Sequence, residues 1–201
     1  YEIPKRDWSS DVCSSDLNIL KSLIKYYDAD VFCHTWKDNI IDATWNPLPM
    51  NCGLYREYVF DENSIIDKLS ILNPKKIQID DYKEEVFITN LDLYKLFQDK
   101  NNYDYGHRGS RTIGQFYSLF ACNELKKNYE IENNFKYDLV IKTRYDVEIT
   151  KPIIKREKIN DFDFDHFYMH LADTSCGVND IVFFSKSEIM DDVTSLYKYI
   201  N

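Results

Sequence analysis

The sequence predicts an α/β fold in which a mainly parallel sheet is flanked by helices. Short apolar segments typical of buried strands alternate along the chain with segments whose apolar residues recur every three or four positions, as on one face of a helix. Strands that alternate with helices favour right-handed crossovers and therefore parallel pairing. The chain has 201 residues, of which 44% are hydrophobic, so it has the length of one domain and enough apolar side chains for a core.

The first part of the chain is predicted to alternate helices and strands, interrupted by one long connection. The predicted elements are helix 19–27, strand 29–36, helix 61–72, strand 76–80 and helix 90–98. Asp61 is the predicted N-cap of the second helix, and Pro74 ends it. Residues 39–58 contain two Pro and one Gly without a clear hydrophobic period, so we expect them to form the connection.

The second part begins with a polar loop over 99–111, after which the strands become more frequent. The predicted elements are helix 112–132, strand 137–144, strand 166–171, strand 180–184 and helix 187–199. Ligands of open α/β sheets bind beyond the carboxyl ends of the strands. We therefore expect functional residues just after the strands that end near residues 36, 80 and 144.

Residues 7–17 differ in character from the rest of the chain. They contain four Ser and three Asp without any hydrophobic period, and they match the translation of a common sequencing-adapter oligonucleotide. Segments of foreign origin are excluded from fold reasoning. The alternative is a Ser/Asp-rich loop in which Asp16 caps the following helix. We expect residues 1–17 to be an artefactual or displaced segment and residues 18–201 to form the single domain.

Charge and composition argue against several classes of protein. A net charge of −9 disfavours a broad nucleic-acid-binding surface. No apolar run approaches the ~20 residues that span a bilayer. The five Cys are scattered without zinc-ligand spacing, so we expect reduced thiols in a cytoplasmic protein. None of the five Gly forms a phosphate-binding loop, which disfavours a phosphotransferase or nucleotidyltransferase.

The strongest local signal for chemistry follows the strand predicted over 137–144. Asp146 and Glu148 are two residues apart, so their carboxylates share one face if the chain stays extended. Two carboxylates there can hold a hard divalent cation that neutralises a diphosphate, and Arg144 can pair with a phosphate oxygen. The alternative is a surface salt-bridge cluster after an ordinary strand.

Two further groups of residues are candidates for binding. His34 and Trp36 end a strand, where a base or a sugar ring could stack; the alternative for His34 is a core histidine beside an aromatic neighbour. Arg108 and Arg111 precede the helix predicted to start at Thr112, and cations beside free backbone N–H groups suit a phosphate. The alternative for these arginines is a solvated basic loop.

Four short motifs occur in a fixed order between Leu20 and Asn201. They are the segments 30–36 (DVFCHTW), 115–118 (QFYS), 137–146 (YDLVIKTRYD) and 179–190, which runs from Asn-Asp to Met. Together they resemble bacterial and viral glycosyltransferase-like proteins of capsule and lipopolysaccharide synthesis, including the WavE type. The resemblance implies a GT-A-like (Rossmann-like) fold that binds a nucleotide-sugar donor.

The resemblance also implies roles for single residues. Asp146 falls at the acid of an Asp-x-Asp-type motif that holds Mg²⁺ or Mn²⁺ against the donor diphosphate, although this chain has Asp146 and Glu148 in place of two aspartates. Asp180 is the candidate general base that deprotonates an acceptor hydroxyl; the alternative is a turn aspartate after Gly177. An opening strand with its donor-binding loop is expected upstream of Asn18, so the chain as printed should turn over weakly or not at all.

The acceptor implied by the resemblance is a surface polysaccharide or a lipid-linked glycan. Residues 151–158 contain four Lys or Arg, which suits a peripheral contact with the inner face of the membrane; a solvated face is the alternative. A second hypothesis for the whole chain is a non-catalytic nucleotide- or glycan-binding protein on the same fold.

Overall fold

The structure, a computed structural model, describes residues 20–37, 62–81, 106–144, 149, 151–163, 165–169 and 182–200. The expectations for residues 1–17, the connection 39–58, the cap at Asp61 and the helix 90–98 concern residues outside these ranges. The described residues form a mixed α/β structure. No helix within the described ranges is both long and apolar enough to cross a membrane.

The helices lie close to their predicted positions. Helix α1 is a π-helical turn, Leu20–Ile24, that continues as Lys25–Tyr27, and helix α2 is Glu62–Leu69 followed by a 3-10 turn, Ser70–Leu72. Helix α3 is Gly106–Asn133, and a 3-10 turn follows at Arg156–Asp161. The predicted C-terminal helix is confirmed as two pieces, α4 (Ser187–Ser195) and α5 (Tyr197–Ile200).

One helix boundary was predicted wrongly. Residues 106–111 were expected to be loop, but α3 already begins at Gly106. The six residues Gly-His-Arg-Gly-Ser-Arg have no apolar period and include two Gly, so local propensity disfavours a helix there. A helix that has nucleated elsewhere extends by one residue at a time at little cost, which lets α3 continue through this polar start.

Three helices end on a residue in the left-handed backbone region, and none of the three is Gly. Asp28, Asn73 and Asn134 have φ angles of 56°, 48° and 55° at the ends of α1, α2 and α3. Asp and Asn tolerate this conformation better than other non-Gly residues. Pro74 follows Asn73, as expected of a residue that cannot continue a helix.

The strands of the described residues form two sheets. The first is a parallel pair of β1 (Phe32–Lys37) and β2 (Lys76–Asp81), in which Phe32 lies opposite Lys76. The second has the order β3-β5-β4, where β3 is Val140–Thr143, β4 is Tyr168–Met169 and β5 is Val182–Ser185. Both pairings in this second sheet are antiparallel.

The prediction of a mainly parallel sheet is therefore correct for β1 and β2 and wrong for β3, β4 and β5. An apolar strand pattern is the same for both directions of pairing. Direction depends on the connection, because a parallel neighbour requires a long crossover, usually a helix. The sequence predicts no helix between its last two strands, and their antiparallel pairing agrees with that absence.

One core cluster is formed by residues of α1, of the end of α2 and of the second sheet. Leu23, Leu72 and Ile149 are buried together, and several partly buried apolar residues pack against them, namely Ile24, Tyr27, Val31, Leu69, Ile71, Ile141, Ile153 and Val182. Tyr27 also fixes the segment after residue 149 by a pair of hydrogen bonds. Its hydroxyl donates to the Ile154 carbonyl oxygen over 2.5 Å and accepts from the Ile154 N–H over 2.7 Å.

Candidate functional site

The carboxyl ends of β1 and β2 lie side by side because the two strands are parallel. Trp36 pairs with Asp80, and Lys37 pairs with Asp81, at the last two positions of the register. Helix α3 packs against both strands. The structure thus brings the strand ends predicted near residues 36 and 80 to one edge of a sheet.

Strand geometry and α3 together assemble a polar group at this edge. Side chains two residues apart share a strand face, so His34 and Trp36 face the same way on β1, as do Gln78 and Asp80 on β2. Tyr117 reaches the same face from α3. We call these five residues the Asp80 cluster: His34, Trp36, Gln78, Asp80 and Tyr117.

Asp80 is the centre of the cluster. Its Oδ2 accepts hydrogen bonds from the Tyr117 hydroxyl at 2.7 Å, from Gln78 Nε2 at 2.8 Å and from His34 Nε2 at 3.1 Å. Its Oδ1 accepts none from the described part of the chain. The Asp80 side chain is 28% exposed, so the carboxylate is partly open to solvent.

The hydrogen bonds fix the protonation states of Asp80 and Tyr117. Burial alone would raise the pKa of Asp80, but the hydrogen bonds from Tyr117, Gln78 and His34 outweigh it and hold that pKa below its ordinary value. Burial, reinforced by the hydrogen bond to Asp80, raises the pKa of Tyr117 to about 12. At neutral pH the carboxylate is therefore charged, and the phenol keeps the proton that it donates.

His34 is a core residue. This agrees with the alternative interpretation that its sequence context left open. Its side chain is only 1% exposed, so its ring offers no open face to a ligand. Burial lowers the pKa of His34 despite the opposing effect of Asp80, and the neutral ring must donate to the carboxylate through Nε2–H. Nδ1 is then the bare nitrogen, and it is buried without a hydrogen-bond partner among the described residues.

Aromatic rings surround the polar atoms of the cluster. The centroid of the Trp36 ring lies 4.9 Å from that of the His34 ring, and the two rings are nearly perpendicular. It lies 5.1 Å from the centroid of the Tyr117 ring, with an interplanar angle of 32°. Tyr197 of α5 is buried against the ring of Tyr117 at 5.3 Å and stacks on Phe120 at 5.5 Å. The rings therefore hold β1, α3 and α5 together beside Asp80.

The other predicted site residues are only partly described. Arg144 follows β3 directly and is exposed. Asp146, Glu148 and Asp180 lie outside the described residues. Among the residues that are described, no three His, Cys, Asp or Glu side chains are grouped so as to hold a metal.

The predicted position of the two arginines relative to α3 is wrong. Arg108 and Arg111 were expected before the helix, but both lie within α3, which begins at Gly106. The backbone N–H groups left free at a helix start belong to its first turn, and Arg111 is beyond that turn. The phosphate-binding argument from a helix N-terminus therefore applies to Arg108 and no longer to Arg111.

Three of the basic residues after β3 are exposed. They are Lys151, Lys155 and Lys158, which lie around the 3-10 turn Arg156–Asp161, and their exposure is compatible with both interpretations of this segment, a membrane contact and a solvated face.

Sequence reasoning pointed to Asp80 only through its place at a strand end where ligands are expected. It gave Gln78 and Tyr117 no role, although Tyr117 lies in the motif at 115–118. The alternation of Gln78 and Asp80 on one strand face was readable from the sequence. The approach of Tyr117 was not, because it depends on the packing of α3 against β2.

A second polar group, the Lys126 network, lies where α3 meets α4. It consists of Asn123, Lys126, Glu130, Lys136, Ser187 and Asp191. Lys126 Nζ lies 2.5 Å from Ser187 Oγ and 2.8 Å from Asp191 Oδ1, and Ser187 Oγ donates to Glu130 Oε1 at 2.6 Å. A serine beside a lysine and a carboxylate can be a catalytic arrangement, but Ser187 is 0% exposed and no substrate reaches it. The network serves the fold.

The chain was compared with models of protein families, with curated protein sequences and with solved structures, and none of the three comparisons found a match.

Proposed function

We propose that this chain is the core of a glycosyltransferase that moves a sugar from a nucleotide-sugar donor to a surface-polysaccharide or lipid-linked glycan acceptor, on a GT-A-like fold. The observation that carries the proposal is the Asp80 cluster. It combines aromatic rings with an ionised, partly open carboxylate at the carboxyl edge of two parallel strands. That edge is where open α/β sheets bind their ligands. The ordered motifs and their resemblance to glycosyltransferase-like proteins support the same function.

The proposed catalytic residues belong to the two segments that flank β3 and β5. Asp146 and Glu148 would hold Mn²⁺ or Mg²⁺, whose charge would stabilise the leaving diphosphate when the cation is bound. Arg144 would pair with a phosphate oxygen. Asp180 would take the proton of the acceptor hydroxyl.

The register of the second sheet supports this pairing of segments. Thr143, the last residue of β3, pairs with Val182, the first residue of β5. The chain therefore leaves β3 and enters β5 at the same end of the sheet. Asp146 follows Thr143 by three residues and Asp180 precedes Val182 by two, so the antiparallel pairing favours a common site for both. A parallel pairing would have put the two segments at opposite ends.

The other proposed donor contacts are Arg108 in the first turn of α3, Arg111 one turn later, His34 and Trp36. The burial of His34 makes its contribution indirect, through the hydrogen bond to Asp80. Activity at the inner membrane face of the cytoplasm, near a lipid-linked acceptor, belongs to the same proposal.

The first experiment titrates the protein, with natural upstream sequence in place of residues 1–17, with UDP- and GDP-sugars in the presence and absence of Mn²⁺. We expect a metal-dependent binding heat with at least one donor. No metal-dependent heat with any donor would contradict the transferase, and metal-independent binding would favour the non-catalytic nucleotide- or glycan-binding protein.

The second experiment separates the roles of the two acids by measuring the release of free nucleotide from the donor. Asp146→Asn should abolish this release and leave the thermal midpoint close to that of the wild type. A large loss of stability would make Asp146 a structural ion-pair residue. Asp180→Asn should lower turnover more than donor affinity, and an equal loss of both would contradict its assignment as the base.

A further inference from the structure

The hydrogen bonds at Asp80 leave one oxygen of the carboxylate available. His34, Gln78 and Tyr117 all donate to Oδ2. Within the described residues Oδ1 has no hydrogen-bond partner, and the side chain is 28% exposed. A charged oxygen held in place by three donors to its neighbour is a rigid acceptor that needs no reorganisation to receive a ligand.

The oxygen atoms that remain on Gln78 and Asp80, the two residues of the cluster on β2, are hydrogen-bond acceptors. Gln78 donates from Nε2 to Asp80, and its amide also donates to the Tyr117 oxygen, so both of these hydrogen bonds lie within the cluster. Its Oε1 remains as a second acceptor. The Tyr117 hydroxyl keeps its proton and donates it in a hydrogen bond to Asp80. Such a surface repels a phosphate, which is itself an anionic acceptor, and favours a ligand that brings hydroxyl hydrogens.

Aromatic rings flank these acceptors. Trp36 and Tyr117 lie 5.1 Å apart with their planes 32° from parallel, and Trp36 pairs directly with Asp80 in the register. An apolar ring beside fixed polar atoms binds ligands that have one apolar and one polar aspect. A sugar ring has both, since its C–H groups form apolar patches while its hydroxyls point outward.

We infer that the Asp80 cluster is a binding subsite for the hydroxyl groups of a sugar ring, in which Asp80 Oδ1 accepts a hydroxyl hydrogen and Trp36 packs against the ring. The sugar is either the ribose of the nucleotide or the pyranose to be transferred; this choice of sources rests on the proposed function. The diphosphate would lie away from Asp80, toward the acids and the metal. The cluster is thus a hydroxyl-recognising part of the site and has no part in binding the metal.

The test compares Asp80→Asn with Asp81→Asn by calorimetry. The two substitutions remove the same charge from adjacent residues, but Asp81 is exposed and strand alternation turns it to the opposite face. The probes are UDP-glucose, UDP-galactose, GDP-mannose, UDP and inorganic pyrophosphate, each with Mn²⁺. We expect Asp80→Asn to weaken nucleotide-sugar binding at least about tenfold, Asp81→Asn to change it less than about twofold, and pyrophosphate affinity to stay unchanged in both.

The arms of the experiment identify the source of the hydroxyls. If Asp80→Asn weakens the binding of UDP as much as that of the UDP-sugars, the subsite holds the ribose. If it weakens only the binding of the UDP-sugars, the subsite holds the transferred sugar. Either result supports the inference. Unchanged affinity for every probe overturns it, as does an equal loss of pyrophosphate affinity or an equal effect of Asp81→Asn.

Two further measurements keep the inference testable if the first ones fail. If Asp80→Asn does not fold, Gln78→Met removes one acceptor and one of the donors that position Asp80, at similar volume. It should weaken binding of the same probes about threefold or more, and no effect overturns the inference. If no nucleotide sugar binds the wild type carrying natural upstream sequence in place of residues 1–17, the proposed function fails by itself. Methyl glucoside and methyl galactoside are then tested by saturation-transfer NMR: binding that is lost in Asp80→Asn supports the subsite, and absence of binding overturns it.

Discussion

Asp80, on a strand packed against α3, and Glu130, within α3, both carry ionised carboxylates, and the two differ in how their oxygens are used. Glu130 uses both oxygens: Oε1 accepts from Ser187 Oγ at 2.6 Å and from the Tyr137 N–H at 2.9 Å, and Oε2 faces Lys136 at 3.0 Å. In Asp80, all three described hydrogen-bond donors bind the same oxygen, Oδ2. The side chain of Glu130 is 0% exposed and that of Asp80 is 28% exposed.

The difference teaches how to separate a structural carboxylate from a binding one. A buried carboxylate is tolerated when each of its oxygens accepts hydrogen bonds from the protein. Such a carboxylate has no acceptor position left for a ligand. Glu130 joins α3 to the chain entering β3 and to the start of α4, so its function is to hold three segments together. Asp80 stands at the edge of a sheet, and one of its oxygens has no hydrogen-bond donor among the described residues. This is the reason that we propose a binding function for it.

The largest effect is expected from breaking the Lys126 network. Lys126→Met leaves the carboxylates of Glu130 and Asp191 without their central cation, and breaking a buried ion pair from one side costs about 3–5 kcal/mol. The free energy of unfolding, measured by urea denaturation, should fall by that amount.

The neighbouring lysine is the matched control for this experiment. Lys127 is 40% exposed and, among the described residues, forms an ion pair only with Glu124, at 4.0 Å. Lys127→Met should therefore change the free energy of unfolding by less than about 0.5 kcal/mol. Similar losses for the two variants would contradict the structural role assigned to the network.

An intermediate effect is expected at the Asp80 cluster. Tyr117→Phe keeps the ring and removes one hydrogen bond to the carboxylate, which should lower the free energy of unfolding by about 1–2 kcal/mol. The pKa of Asp80 should rise, because one of the donors that stabilise its charged form is lost. Chemical denaturation and NMR titration of the carboxyl carbon measure the two effects.

Tyr129→Phe is the control on the same helix. The Tyr129 hydroxyl has no hydrogen-bond partner in the described part of the chain, and its ring contacts Phe32 and Phe135. We expect a change below about 0.5 kcal/mol. If Tyr129→Phe cost as much as Tyr117→Phe, the hydrogen bond to Asp80 would not explain the loss.

The smallest effect is a dependence of stability on pH that originates at His34. Its pKa in the folded state is lowered by burial, so the unfolded chain binds the proton more tightly. Its contribution to stability is complete above the unfolded pKa of about 6.5. It is lost as the pH falls below that value, with a slope of at most about 1.4 kcal/mol per pH unit. Asp80 and Tyr117, which contact His34, do not titrate between pH 5.5 and 7.5.

Urea midpoints of the wild type and of His34→Gln at pH 7.5 and pH 5.5 measure this dependence. Gln can still donate to Asp80 but does not titrate, so the wild type should lose more stability than the variant on acidification. The other histidines contribute equally to both proteins. Equal losses would show that His34 does not change its protonation in this range.

Most secondary-structure elements were predictable because they depend on short-range patterns. The apolar period places α2, the body of α3 and α4, and the apolar run at 137–144 places β3. The start of α3 was not predictable in this way, since Gly106–Arg111 has no apolar period and is helical by continuation. The hydrogen-bond partners of Glu130 were not predictable either, because the farthest of them, Ser187, lies 57 positions away in the chain.

The sequence by itself determined which side chains share a strand face: His34 with Trp36, and Gln78 with Asp80, through the two-residue period of extended chain. Only the tertiary structure decided that Tyr117 donates to Asp80 and that β5 runs antiparallel to β3, so that Val182 meets Thr143. Strand periodicity is local and independent of direction. Pairing direction and helix packing depend on the path of the connections and on contacts between residues far apart in the chain.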